Sequence, residues 1–172
     1  MAQVRKPRIV ALDTMNFWIE KSPQLLREVI RNTDVLIINE AEVRQLTGEF
    51  TLVRAARMLM DMGPGRVVIK RGEYGVLHLS DGGIFAAPAY PLETIFDPTG
   101  AGDSFAGGFM GYLASRGDRE LSEMDYRLAT MYGSAIASFT VEAFSTERLE
   151  SLSQDDIARR VSSFRSLTEF RV

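Results

Sequence analysis

Three short and almost wholly apolar runs constrain this chain most: Ile9-Val10-Ala11-Leu12, Val35-Leu36-Ile37-Ile38 and Val67-Val68-Ile69. Each is too short for a buried helix and too evenly apolar for a strand with one wet face. Each also ends at or beside a polar residue: Asp13, Asn39 and Lys70. Such runs read as strands buried on both faces, the condition of a parallel sheet covered by helices. The stretches between them have helical spacing. Residues 23–32 place Leu25, Leu26, Val29 and Ile30 on one stripe, with Ser22 as N-cap and Pro23 at the first helical position. Residues 41–46 form a short helix stopped at Thr47-Gly48. Residues 51–62 line up Leu52, Ala55, Ala56, Leu59 and Met60 ahead of Gly63-Pro64-Gly65. Residues 75–79 and 84–87 flank Asp81-Gly82-Gly83, a hairpin signal. Further helices are expected from the loop at 96–102 to about Ser115, over 123–140 and over 154–169. Strands alternating with helices imply βαβ units and a mostly parallel sheet. No repeat, low-complexity stretch or linker interrupts the pattern, so one α/β domain over residues 1–172 is expected.

Composition removes several classes of function. A chain of 172 residues can bury one sizeable core. A net charge of −3 with no basic block argues against nucleic acid as a partner. No apolar run approaches the roughly 20 residues of a membrane span, and the basic residues near Met1 precede no signal-peptide core. The chain has no cysteine, which excludes disulfides and thiolate metal sites, and a single histidine, His78. His78 falls mid-strand among leucines and reads as a packing or surface residue rather than a catalytic one. A cytoplasmic enzyme or enzyme domain is the expectation.

The chemistry concentrates in Asp97-Pro98-Thr99-Gly100-Ala101-Gly102-Asp103-Ser104-Phe105-Ala106-Gly107-Gly108. Three small residues lead into an acid and then into a small-residue helix. The free N–H groups of a first helical turn, with the helix dipole, make an anion site, and glycine lets a phosphate approach the backbone. A carboxylate has no place in a site that only binds phosphate. It suits a base that takes the proton of an attacking hydroxyl, so anion hole plus acid points to phosphoryl transfer to an alcohol. Ligands of open α/β sheets bind beyond the carboxyl ends of the strands. Asp13, Asn39, Lys70 and the 97–103 loop all fall at or just after such ends.

The Asp-Pro-Thr-Gly-Ala-Gly-Asp-Ser-Phe stretch resembles the C-terminal signature of the ribokinase-like (PfkB) carbohydrate and nucleoside kinases. Asn39-Glu40-Ala41-Glu42 resembles the family's Asn-x-x-Glu motif, and Lys70-Arg71-Gly72-Glu73-Tyr74-Gly75 its Lys-x-Gly-x-x-Gly segment. The resemblance implies a three-layer α/β/α ribokinase-like domain without the family's N-terminal half and lid. It implies phosphorylation of a sugar or nucleoside with ATP and magnesium. Asp103 would be the base, and Gly100, Ala101 and Gly102 the anion hole. Asn39 and Glu42 would order magnesium and phosphates, largely through water, which suits an ion that keeps much of its hydration shell. The same pair also suits a helix-capping box. Lys70, Gly72 and Gly75 would wrap the nucleotide. Ser134, on a helix that also carries Gly133, Ala135 and Ala137, would line the adenine pocket, although small residues equally suit close helix–sheet packing. In several family members the positions of Asp97 and Thr99 hold a monovalent cation, which brings in potassium. Asp13-Thr14-Met15-Asn16 follows the first strand where the family often has Asp-x-Asn. Phe17 and Trp18 beside it read as core.

Three rival readings are poorly supported. A serine esterase built on Gly102-Asp103-Ser104 needs a histidine base, and His78 lies upstream in a strand. No Walker-type Gly-x-x-x-x-Gly-Lys-Ser/Thr is present, and no Gly-x-Gly-x-x-Gly follows the first strand. The serious alternative is a nucleotide-binding half with little kinase activity of its own, since the family holds its acceptor mainly through the N-terminal half. An incomplete sheet exposes an apolar strand edge, so a homodimer or a companion N-terminal half is expected.

Overall fold

The computed structural model describes residues 4–169; the first three residues of the basic stretch at Met1 lie outside them. The apolar runs become β1 (Ala11–Asp13), β2 (Val35–Asn39) and β3 (Arg66–Lys70), followed by β4 (Val76–Ser80) and β5 (Gly83–Ala87). The five form one sheet in chain order. β1 runs parallel to β2, with Asp13 opposite Ile37, and β2 parallel to β3, with Asn39 opposite Lys70. β4 and β5 are joined by Asp81-Gly82 alone, a link that only an antiparallel pair can make. Leu36, Ile38, Val67 and Ile69 are buried on one face, and Val35, Ile37 and Val68 on the other, as the uniformly apolar runs require. His78 is buried in β4.

The residues group into two compact units. The first comprises the described chain up to Arg71 together with Leu77–Phe85; the second comprises Gly72–Val76 and the chain from Ala86 onward. In the first unit, helices α1 (Asn16–Lys21), α2 (Pro23–Arg31), α3 (Glu40–Thr47) and α4 (Leu52–Met60) accompany β1 to β3. Their apolar stripes meet the sheet in one core that includes Ile19, Leu26, Ile30, Val43, Ala55 and Leu59. Gly48 ends α3 in the left-handed conformation (φ 71°), its N–H donating to the Arg44 carbonyl.

Three local expectations need correction. β1, expected to be buried on both faces, is the end strand of the sheet and only partly buried. Phe17 and Trp18 are not core residues: both are about half exposed, at 48% and 47%. They belong to α1, a helix the sequence pattern did not reveal, which buries only Ile19. The two rings instead cover each other edge to face at 5.1 Å. Ser22 occupies the N-cap position of α2 but makes no side-chain capping bond. It is also the C-cap of α1, and its N–H donates to the Trp18 carbonyl.

The second unit is built on α5 (Ala101–Ser115) and α6 (Glu123–Thr140), followed by α7 (Glu147–Glu150) and α8 (Gln154–Thr168). Gly108 and Gly133 let α5 and α6 approach closely. A Cβ on Gly133 would lie 2.8 Å from the Phe105 carbonyl oxygen and 3.0 Å from its ring. Ser122 caps α6 in a reciprocal box with Asp125, and Arg119 grips the same carboxylate with both guanidinium nitrogens. These donors hold Asp125 well below the usual carboxylate range, Arg119 contributing most. Arg160 of α8 lies over the Phe139 and Tyr90 rings, at 3.7 and 4.2 Å, and donates to Ser138 and Glu142, which pins α8 to α6.

The packing predicts opposite outcomes for two glycines. Gly133→Ala should destabilise the chain by about 1–3 kcal/mol, because Phe105 backbone must move. Gly107→Ala meets nothing within 4 Å and should stabilise α5 by about 0.5–1 kcal/mol. Urea denaturation midpoints decide; equal effects at the two positions would contradict the close α5–α6 approach.

Candidate functional site

The parallel register brings Asp13, Asn39 and Lys70 to the same, carboxyl-terminal edge of the first unit's sheet. The helix that starts directly after β2 is α3, and its start is a complete capping box. Asn39 Oδ1 accepts the Glu42 N–H at 2.9 Å, and Glu42 Oε2 accepts the Asn39 N–H at 3.4 Å. The capping role expected for this pair is therefore real, and it uses only Oε2 of the Glu42 carboxylate. Glu42 is buried, and that burial pushes its carboxyl pKa up. The Asn39 N–H and Lys70 pull it back, and Asp13 adds to the rise. The site can thus hold a carboxylate that lacks full solvation, a useful state for a group that meets a cation. Among the described residues no cluster of three or more acidic or histidine ligands could hold a metal. A single carboxylate is nevertheless enough for magnesium, which keeps several of its waters.

Lys70 does not project freely from the end of β3. Its Nζ lies 2.7 Å from Asp13 Oδ2, and both side chains are largely covered. This partner was not recognised from sequence. Arg71, the next residue, pairs with Glu40 at 3.5 Å, and Glu40 also binds Arg44 at 2.6 Å, which holds Glu40 below its ordinary range.

The signature loop lies in the second unit. Asp97 Oδ1 accepts the Thr99 N–H at 2.9 Å, an Asx turn that lowers the Asp97 pKa. Gly100 caps α5 in the left-handed conformation (φ 78°), where a Cβ would be strained although space surrounds it. Ala101 and Asp103 then begin a fifteen-residue helix, with Asp103 exposed in its first turn. The Ala101 N–H donates to the Pro98 carbonyl at 3.2 Å and so serves the turn. Gly102 and Asp103 contribute first-turn N–H groups that no preceding helical turn can accept.

The remaining expected residues divide. Gly72 opens a short 3-10 turn at φ 55°, exposed and uncrowded. Gly75 is fixed by its own packing, since a Cβ there would lie 2.1 Å from the Ala87 carbonyl oxygen. Gly133 serves helix packing, whereas its neighbour Ser134 is buried with a hydroxyl that lacks a partner. An orphaned buried hydroxyl is costly and marks a place that a ligand could satisfy.

Residues 7–151 match the pfkB family of carbohydrate kinases, and the chain belongs to that family. It is 47% identical over 99 residues to a cytidine kinase of Thermococcus kodakarensis, covering 56% of this chain and 35% of that protein. It is 35% identical over 123 residues to a nucleoside kinase of Methanothermobacter thermautotrophicus, covering 71% and 36%. Among solved structures it superimposes on aminoimidazole riboside kinase from Salmonella enterica, bound to aminoimidazole riboside and an ATP analogue. That match has a TM-score of 0.75 and 25% identity over 90% of this chain and 52% of the other. The ribokinase-like α/β fold expected from the motifs is the fold observed. The chain spans about a third of the length of these two curated relatives and about half of the solved one.

The electrostatics of Glu42 give a testable sign. Its folded pKa lies above its unfolded value, so its contribution to stability is full at low pH and falls as pH rises through the folded pKa. Glu42→Gln retains an acceptor for the Asn39 N–H and removes the charge. It should be more stable than the parent at pH 7, and the difference should shrink towards pH 4. Denaturation midpoints at the two pH values test this; a pH-independent difference would contradict it.

Proposed function

We propose that this chain carries the nucleotide-binding and catalytic share of an ATP-dependent kinase acting on a hydroxyl of a sugar or nucleoside. The observation that carries the reading is the Asp97–Asp103 loop: an Asx turn, a left-handed glycine, and an exposed acid in the first turn of a long helix. Likeness to a cytidine kinase and a nucleoside kinase favours a nucleoside, so cytidine is the first acceptor to test.

In this reading Asp103 takes the proton of the acceptor hydroxyl as its oxygen bonds to the γ-phosphorus of ATP. The bond from that phosphorus to the β–γ bridging oxygen breaks, and ADP leaves with the electron pair. Gly100, Ala101 and Gly102 form the turn that admits the phosphate. The N–H groups of Gly102 and Asp103, with the α5 dipole, stabilise the developing charge. Glu42, beside Asn39, would meet magnesium through water, and magnesium when bound neutralises phosphate charge. Lys70 and Gly72 would meet the phosphates. Gly75 would wrap the nucleotide with them, and Ser134 would meet the base. Asp97 and Thr99 would supply oxygens to potassium. The reading takes residues 1–172 as one functional domain in the cytoplasm, working as a homodimer or with a companion segment that completes the acceptor site.

A second reading is favoured by one fact. The chain spans only 35% to 52% of the relatives described above. Positioning the acceptor is worth about 7–11 kcal/mol of barrier, so a chain that does not itself hold the acceptor would bind nucleotide and turn over slowly.

Asp103→Asn should lower phosphoryl transfer to cytidine by about 10²–10⁴-fold while leaving the affinity for a non-hydrolysable ATP analogue little changed. Coupled ADP release and calorimetry measure the two quantities. Equal loss of both would refute the role of Asp103 as base. Nucleotide binding without transfer to any sugar or nucleoside by the parent chain would select the second reading.

A further inference from the structure

At the strand edge Lys70 is paired with Asp13, an acid to which the proposed chemistry gives no role. β1 and β3 are not neighbours; β2 lies between them, so their axes are about 10 Å apart. The register sets Lys70 two residues further along the sheet than Asp13, since Asp13 faces Ile37 and Lys70 faces Asn39. To meet Asp13 at 2.7 Å, the Lys70 stem must lie back across the end of β2. The carboxylate that receives it is itself tethered, because Asp13 Oδ1 accepts the Thr14 N–H at 3.0 Å while Oδ2 takes the ammonium. The hydroxyl of Thr14, the residue after Asp13, is buried and has no partner. A free lysine at a strand end samples many rotamers. This one is held by Asp13, within electrostatic reach of Glu42.

We propose that Asp13 is a positioning residue: it fixes the Lys70 ammonium over the end of β2, where that ammonium meets the phosphates of the bound nucleotide. The inference rests on the nucleotide-binding reading above. Asp13 itself touches no ligand. Its carboxylate lowers the charge of the site by one, and in return the lysine is already ordered when the phosphates arrive, so binding loses less side-chain freedom.

The test is calorimetric titration of the full chain with a non-hydrolysable ATP analogue and magnesium. The set is the parent, Asp13→Asn, Asp13→Glu, Lys70→Ala and Asp13→Asn/Lys70→Ala, each with a thermal melt. Lys70→Ala should weaken binding about tenfold, as loss of a charge-assisted contact. Asp13→Asn should weaken it about three- to tenfold, and Asp13→Glu should recover most of that loss. The double variant should be no weaker than Lys70→Ala alone, because Asp13 acts only through the lysine. Lowered melting temperature with unchanged affinity in Asp13→Asn would make the pair purely structural and overturn the proposal. Tighter binding in Asp13→Asn would also overturn it, by showing that Asp13 competes for the lysine. In both cases binding by the parent leaves the nucleotide reading standing. No binding by a well-folded parent chain overturns that reading and the proposal together.

Discussion

The parallel register of β1, β2 and β3 is the constraint on which the first unit depends. Because the three strands run the same way, their last residues fall on one edge, and Asp13, Asn39 and Lys70 become neighbours although they are far apart in sequence. The register holds because β2 and β3 are buried on both faces, so a slip would move apolar side chains across the edge and into water. Polar chemistry at the edge is therefore positioned by an apolar core that does no chemistry. The same logic places the Asn39–Glu42 box, since α3 begins directly where β2 stops.

The second unit solves a different problem, bringing two helices close enough to fix the first turn of α5. Gly108 and Gly133 permit that approach, and Phe105, two residues after Asp103, is locked against Gly133. Asp103 can stay exposed because the next turn of its helix is immobilised by packing. Rigidity supplied by one face of a helix and reactivity displayed on another is how a scaffold presents a side chain without burying it.

Regular structure was legible in the sequence wherever periodicity or capping was strong. Strands β2 and β3, helix α6 and the Asp81-Gly82-Gly83 hairpin lie within a residue or two of where the pattern puts them. α1 was not legible, because six residues with one buried side chain carry too little periodicity and its aromatics mimic core. The site was legible in its motifs but not in its contacts. Asn39 and Glu42 read equally as cap and as metal–phosphate pair, and the structure shows the cap in full. Gly75 and Gly133 read as nucleotide neighbours, yet each has a complete steric reason within its own unit. The Asp13–Lys70 pair could have been found only by combining the register with opposite charges at alternate strand ends.

The unfavourable features of the chain are not scattered. Glu42 is an acid in a buried position, and the hydroxyls of Thr14 and Ser134 are buried without partners. Glu42 lies in the Asn-x-x-Glu motif, Thr14 beside Asp13, and Ser134 on the helix that the family resemblance sets at the adenine pocket. A core selected only for stability would replace them, since a buried unsatisfied hydroxyl costs about 1–3 kcal/mol and an apolar substitute costs nothing of that kind. The structural helix ends away from the motifs show the opposite state. Asp125 and Asp156 sit in complete capping boxes with arginine partners, and both carboxyls are held low, Asp156 at about 2. Glu42, Thr14 and Ser134 stay short of partners although Glu40 and Asp97, in the same motifs, are satisfied and held low, and a few polar groups left so are expected where a chain gives up some stability for a ligand.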